Sequence, residues 1–156
     1  MLKLRKIGQQ MITVDHNLSM AEIIIKYYFK NISQAERLIQ QFPVETLGAG
    51  LKEWDIELFM ANIAVSGIQT VEELSSRQYR PIYFNEASSL AVVMPHFTDS
   101  LQLIPLLTRR EVAPDKFEVL TIKKVGLYLD TGKRWYHTKL VSRDKLIIPA
   151  IKITEK

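Results

Sequence analysis

The chain has 156 residues, 47% hydrophobic and 24% charged, which suits one domain spanning 1–156 around one core and leaves little for a second. It has no cysteine, so disulfides, thiolate metal sites and cysteine nucleophiles are excluded, and no apolar run reaches the ~18 residues of a membrane span. The net charge of +4 is uneven, with 9 Lys/Arg against 11 Asp/Glu in residues 1–105 and 12 against 6 in residues 106–156; that asymmetry points to a polyanionic partner, the plain alternative being lysines that keep sheet edges soluble.

The opening MLKLRKIGQQ is basic without the apolar stretch of a secretory signal, so an intracellular location is expected. Met11–Asp15 reads as a short strand. Ser19-Met-Ala-Glu22 has the spacing of a capping box and opens a helix through AEIIIKYYFK. Ser33-Gln-Ala-Glu36 repeats the signature ahead of AERLIQQF, which Pro43 ends. Residues 51–65 place Leu51, Trp54, Leu58, Ala61 and Val65 at spacings of 3, 4, 3 and 4, the stripe of an amphipathic helix, with Gly67 as its stop. Thr70-Val-Glu-Glu73 is a third capping box. The second half reads as strands. PIYF and SLAVVM are rich in β-branched and aromatic residues and are split by a short connector beginning Asn85-Glu86. Leu101–Leu107, interrupted by Pro105, is an edge strand or a loop. Phe117–Leu129, Arg134–Val141 and Leu146–Ile153 follow, joined through Asp130–Lys133 and Ser142–Lys145, both with turn chemistry. The expected fold is α+β, a helical N-terminal half packed on an antiparallel sheet from the C-terminal half.

Most chemistry-bearing signatures are missing. There is no Gly-x-Gly-x-x-Gly and no Walker loop. His16, His96 and His137 lack zinc-ligand spacing, and Ser88 and Ser89 lack a glycine-flanked elbow. Asp55 and Glu57 fall in the helical pattern, where side chains two residues apart point away from each other. Glu86 stands out because other acids have capping or surface roles, whereas it sits between two apolar runs. A carboxylate beside apolar walls has a raised pKa suited to acid–base work, or holds a divalent cation or an attacking water. Simple turn chemistry is the competing reading. Asn85 and Arg80 are near enough in sequence to contact the same phosphate. The basic residues Lys123, Lys124, Lys133, Arg134, Lys139 and Arg143 are the candidate DNA-binding set, with Lys123 and Lys124 on opposite strand faces. Trp135, flanked by these cations, is expected in the core.

In its length, its cysteine-free helices-then-strands order and the placement of Glu86 in FNEASS, the whole chain resembles a small orphan nuclease family of the Acidianus filamentous viruses, the lipothrixviruses. That resemblance implies a fold distantly like nucleotidyltransferases, cleavage of linear double-stranded DNA in the host cytoplasm, and Glu86 as the essential acid. The resulting expectation is a phosphodiesterase with a magnesium ion at Glu86, its shell completed by Asp15, Asp99, substrate phosphates or a second subunit, and with the basic strands holding the backbone. A non-catalytic nucleic-acid-binding or virion-assembly protein using the same basic face is the alternative, and a small-molecule-binding domain is the third.

Overall fold

The two longest elements are strands, and both come from the half of the chain whose spacing predicts helices. The structure, a computed structural model, describes residues 3–42, 50–94, 102–125, 128–136 and 146–153. Its elements are β1 (Leu4–Asp15), α1 (Met20–Tyr27), a 3-10 turn (Phe29–Asn31), α2 (Ile32–Ile39), β2 (Leu51–Ala61), α3 (Gly67–Ser76), β3 (Tyr79–Pro81), α4 (Phe84–Val93), β4 (Gln102–Leu103), β5 (Arg109–Ala113), β6 (Lys116–Val125), β7 (Tyr128–Trp135) and β8 (Leu146–Lys152).

Among the described residues, eight strands make one sheet in the order β1-β2-β8-β4-β6-β5, with β3 also paired to β8 and β7 to β6. β4 runs parallel to β8, and the other pairs are antiparallel. The sheet is therefore mixed and drawn from both halves, which corrects the expected helical N-terminal half on an antiparallel C-terminal sheet. β8 is buried from Leu146 to Ile151. Its side chains divide between two clusters, Ile147 and Ile151 packing with Ile12, Val14, Ile56 and the helices α1, α2 and α4, while Leu146, Ile148 and Ala150 pack with Phe59, Ala61 and Leu74 of α3. Alternation along one central strand feeds both clusters. Three helices cover one face of the sheet and α3 covers part of the other.

Several local expectations shift for identifiable reasons. The predicted helix at 51–65 is β2, because Glu53-Trp54-Asp55-Ile56-Glu57-Leu58 also alternates acid and apolar with period two, and a partner strand is present in β1. The connector at Asn85-Glu86 and the strand expected at SLAVVM are the helix α4, whose residues Phe84 to Ala91 are all buried, while of PIYF only Pro81 is in a strand, as the last residue of β3. A helix enclosed on every side shows no polar face to mark its period. Asp130–Lys133 lies within β7, since β6 and β7 pair from Val125↔Tyr128 to Glu118↔Trp135. β4 is not an edge, as it joins β8 to β6.

The capping box at α1 is present, with Glu22 N donating to Ser19 Oγ (3.2 Å) and Ser19 N to Glu22 Oε1 (3.1 Å). Ser33 and Glu36 lie inside α2. For α3 the working box is Ser66–Gln69, not Thr70–Glu73. Gly67 opens this helix, where a Cβ would lie 2.6 Å from the carbonyl oxygen of Tyr136. Glu73 instead accepts from the backbone amides of Lys3 and Leu4, both at 2.7 Å, and so ties α3 to the start of β1.

Candidate functional site

Glu86 occupies the third position of α4 and is 0% exposed. Its Oε1 accepts from Arg80 Nη1 (3.0 Å) and from the backbone amide of Tyr83 (2.9 Å), and its Oε2 accepts from Arg80 Nη2 (2.8 Å). The fork of Arg80 thus meets the carboxylate bidentately, the strongest geometry for such a pair. Arg80 is fixed in turn, lying 4.9 Å over the ring of Trp54 and 5.8 Å over that of Tyr83, and donating to the carbonyl of Pro81 (2.9 Å). Trp54 Nε1 donates to Nε2 of the buried His16 (3.1 Å). The chain Glu86–Arg80–Trp54–His16 locks α4 onto β3, β2 and the end of β1. Both oxygens of this carboxylate are engaged and the side chain is closed to solvent, so a magnesium ion reaching it would have to displace Arg80. Among the described residues no three His, Asp or Glu side chains are grouped to hold a metal. Asp15 Oδ1 accepts from the amide of Asn17 at the end of β1.

The basic residues of the C-terminal strands divide between the two faces. The pairs Leu120↔Lys133 and Lys124↔Leu129 place Lys124 and Lys133 on the helix-covered face, whereas Val119↔Arg134 and Lys123↔Asp130 place Lys123 and Arg134 on the opposite one. Lys133 lies 3.5 Å from Glu118, which also accepts from Arg110 Nε at 3.0 Å. Lys123 lines a small polar hollow with Gln34, Gln102, Thr121 and Asp130. Trp135, expected in the core, is 43% exposed. Lys139 and Arg143 lie outside the described residues, as do Pro43, His96, Asp99, His137 and the Ser142–Lys145 connector.

The structure brings Lys124 together with residues from the other half of the chain. An open groove of about 390 Å³ is lined by Lys26, Tyr27, Phe29, Val92, Lys124 and Leu129. Lys26 and Tyr27 come from the last turn of α1, Phe29 from the 3-10 turn, Val92 from the end of α4, and Lys124 and Leu129 from the hairpin of β6 and β7. Lys26 Nζ stands 5.3 Å from the Tyr27 ring centroid, and Phe29 is 47% exposed. Two cations from separate elements therefore meet two aromatic rings over an apolar floor of Val92 and Leu129, and none of the described lining is acidic. The signal for this half of the groove is visible in the string Lys26-Tyr-Tyr-Phe-Lys30, aromatic residues between two lysines, which reads as a mere helix end when only periodicity is followed. Tyr28, in the middle of that string, points inward instead, its hydroxyl 2.9 Å from Ser88 Oγ. No described helix is long and apolar enough to cross a membrane. No family model, curated protein or solved structure matches the chain.

Proposed function

We propose that this protein binds single-stranded nucleic acid without cleaving it, through the groove between α1, α4 and the β6–β7 hairpin. The observation that carries this reading is the convergence of Lys26 and Lys124 with Tyr27 and Phe29. Bases stack on aromatic faces whatever their identity, and lysines on either side neutralise the phosphates that connect them. The groove volume lies within the range of roughly 300–1,000 Å³ common for small-ligand clefts, enough to receive part of a strand and leave the rest on the surface. Glu86 contributes to this function by anchoring α4, whose far end supplies Val92. Hydrolysis at Glu86, the activity that the viral nuclease resemblance implies, calls for an accessible carboxylate, and the bidentate hold of Arg80 favours a positioning role instead.

Fluorescence anisotropy with a short labelled single-stranded oligonucleotide tests this reading. Binding is expected to weaken linearly on a logarithmic salt scale. The double variant Lys26→Glu/Lys124→Glu is expected to lower the slope by about 1.4, from roughly 0.7 per phosphate contact. Phe29→Ala is expected to cost about 1–3 kcal/mol of binding if one base stacks there. Unchanged affinity in the double variant would overturn the assignment of the groove. Magnesium-dependent cleavage of linear duplex DNA, lost in a Glu86→Gln protein that melts like wild type, would favour the phosphodiesterase instead.

A further inference from the structure

The outer edge of β1 differs from the other exposed strand edges. Natural sheets blunt an exposed edge with charges, proline, bulges or brevity, because its unpaired amides and carbonyls otherwise recruit another strand. β7 carries Asp130, Lys133 and Arg134. β5 has five residues, three of them charged, and a register shift between Glu111 and Ala113. β1 has twelve residues and pairs only with β2 among the described elements. Its register shift, between Lys6 and Gly8, sits near one end. Beyond it runs Gly8-Gln-Gln-Met-Ile-Thr-Val14, seven residues with no charge and no proline. The charges that flank this stretch have opposite signs, Arg5 and Lys6 before it and Asp15 after it.

We infer that β1 pairs antiparallel with the β1 of a second copy of this chain, about a twofold axis at Gln10, so that the two sheets become continuous. A twofold axis makes the contact isologous and closed, so the association stops at two copies. The register places Gln10 opposite its own counterpart, and Gln9 opposite Met11. It also brings the Arg5–Lys6 end of each copy to the Asp15 end of the other. A parallel arrangement would set like charges together, so charge complementarity selects the antiparallel one. Met11, 59% exposed in the single chain, gains a cross-strand neighbour on its own face. The two grooves would then lie on opposite flanks of the joined sheet, though the pairing stands whether or not they hold nucleic acid.

Sedimentation velocity at micromolar concentrations tests the pairing, with a single chain of 18.0 kDa as the reference mass. Wild type is expected at twice that mass. Gln10→Lys and Gln10→Glu each set like charges across the axis, and each is expected to sediment as a monomer with unchanged circular dichroism. Mixed in equal amounts, the two variants are expected to return to the dimer mass, because the axis then joins Lys to Glu. Arg5→Glu, on an exposed side chain, is expected to raise the dimer dissociation constant several-fold at low salt. A wild-type monomer at every concentration would overturn the dimer. A dimer that survives both Gln10 variants, or a mixture that stays monomeric, would overturn the axis at Gln10.

Discussion

The carboxylate of Glu86 receives three donors inside the protein, two from Arg80 and one from the Tyr83 amide. The two readings of this residue separate by measurement, because a catalytic acid at a solvent-facing site is dispensable for folding, whereas half of a buried ion pair is not. Removing one partner leaves the other charge uncompensated, a cost of about 3–5 kcal/mol where the pair is fully buried. Arg80 keeps 18% of its side-chain exposure, so the lower end applies. Glu86→Gln is therefore expected to lower unfolding stability by about 3 kcal/mol in urea titrations. Arg80→Met is expected to cost a similar amount, and the double variant less than the two together. An unchanged urea midpoint for Glu86→Gln would contradict this role. The sequence gives Glu86 prominence for a sound reason, since it does lie between buried segments. Its role is hidden because the helix start that it serves has Tyr83, not Ser or Thr, at the cap, so the signature of a helix N-terminus is incomplete there. Arg80, four residues before the helix starts, is the partner that local spacing alone does not select.

At the scale of elements, legibility follows how much of each element meets water. α1 is readable because its cap is exposed and complete. β2 supports two periods at once, as Trp54 and Leu58 fit a helical stripe while the acids at 53, 55 and 57 fit a strand; only the partner strand β1 decides between them. α4 is enclosed for eight consecutive residues, so its apolar and small polar residues mix without a period. Its serines bond back to carbonyls four residues earlier, Ser88 to Phe84 and Ser89 to Asn85, which lets them sit inside the core. Gly67 illustrates a position whose reason is tertiary. It follows β2 as a helix stop would, yet it begins α3 because the chain passes against Tyr136, to whose carbonyl its amide donates at 2.9 Å. A Cβ there meets a backbone oxygen at 2.6 Å, which cannot rotate away. Gly67→Ala is expected to destabilise the protein by about 1–3 kcal/mol despite the better helix propensity of alanine, read as a lowered melting temperature. A raised melting temperature would mean that α3 and the end of β7 part without cost.

For the whole molecule, the charge asymmetry read from the sequence is real, but the fold distributes it. Lys124 and Lys133 face the helices, Lys123 and Arg134 face away, and the groove recruits Lys26 from the less basic half. Charge sums along a chain do not reveal which face a strand residue takes, because alternation divides neighbours. The same fold sets limits on stability at both ends of the pH scale. Burial pushes Glu57 upward, but the hydrogen bond from Lys6, the nearby Tyr79 hydroxyl and the charges of Lys6 and Lys152 leave its pKa below the ordinary glutamate value. A depressed carboxylate contributes stability that is present above about pH 4.3, the unfolded value, and is lost as pH falls through the folded one. Tyr28 lies in the opposite direction, raised by burial against the opposing hydrogen bond to Ser88. A raised phenol stabilises the fold below about pH 10, where both states are neutral, and that stability falls as the unfolded chain ionises above it. Urea midpoints followed across pH are therefore expected to be level near neutrality and to fall on both sides. Lys6→Met is expected to flatten the acid limb, since its 2.7 Å bond to Glu57 supplies much of the depression, and to leave the alkaline limb in place. Tyr28→Phe is expected to make only the alkaline limb shallower, the rest of that limb coming from Tyr136, raised by burial, and Tyr79, raised beside Glu57. If both variants lowered the curve equally at every pH, Glu57 and Tyr28 would not be the titrating groups, and the limits of stability would lie elsewhere in the chain.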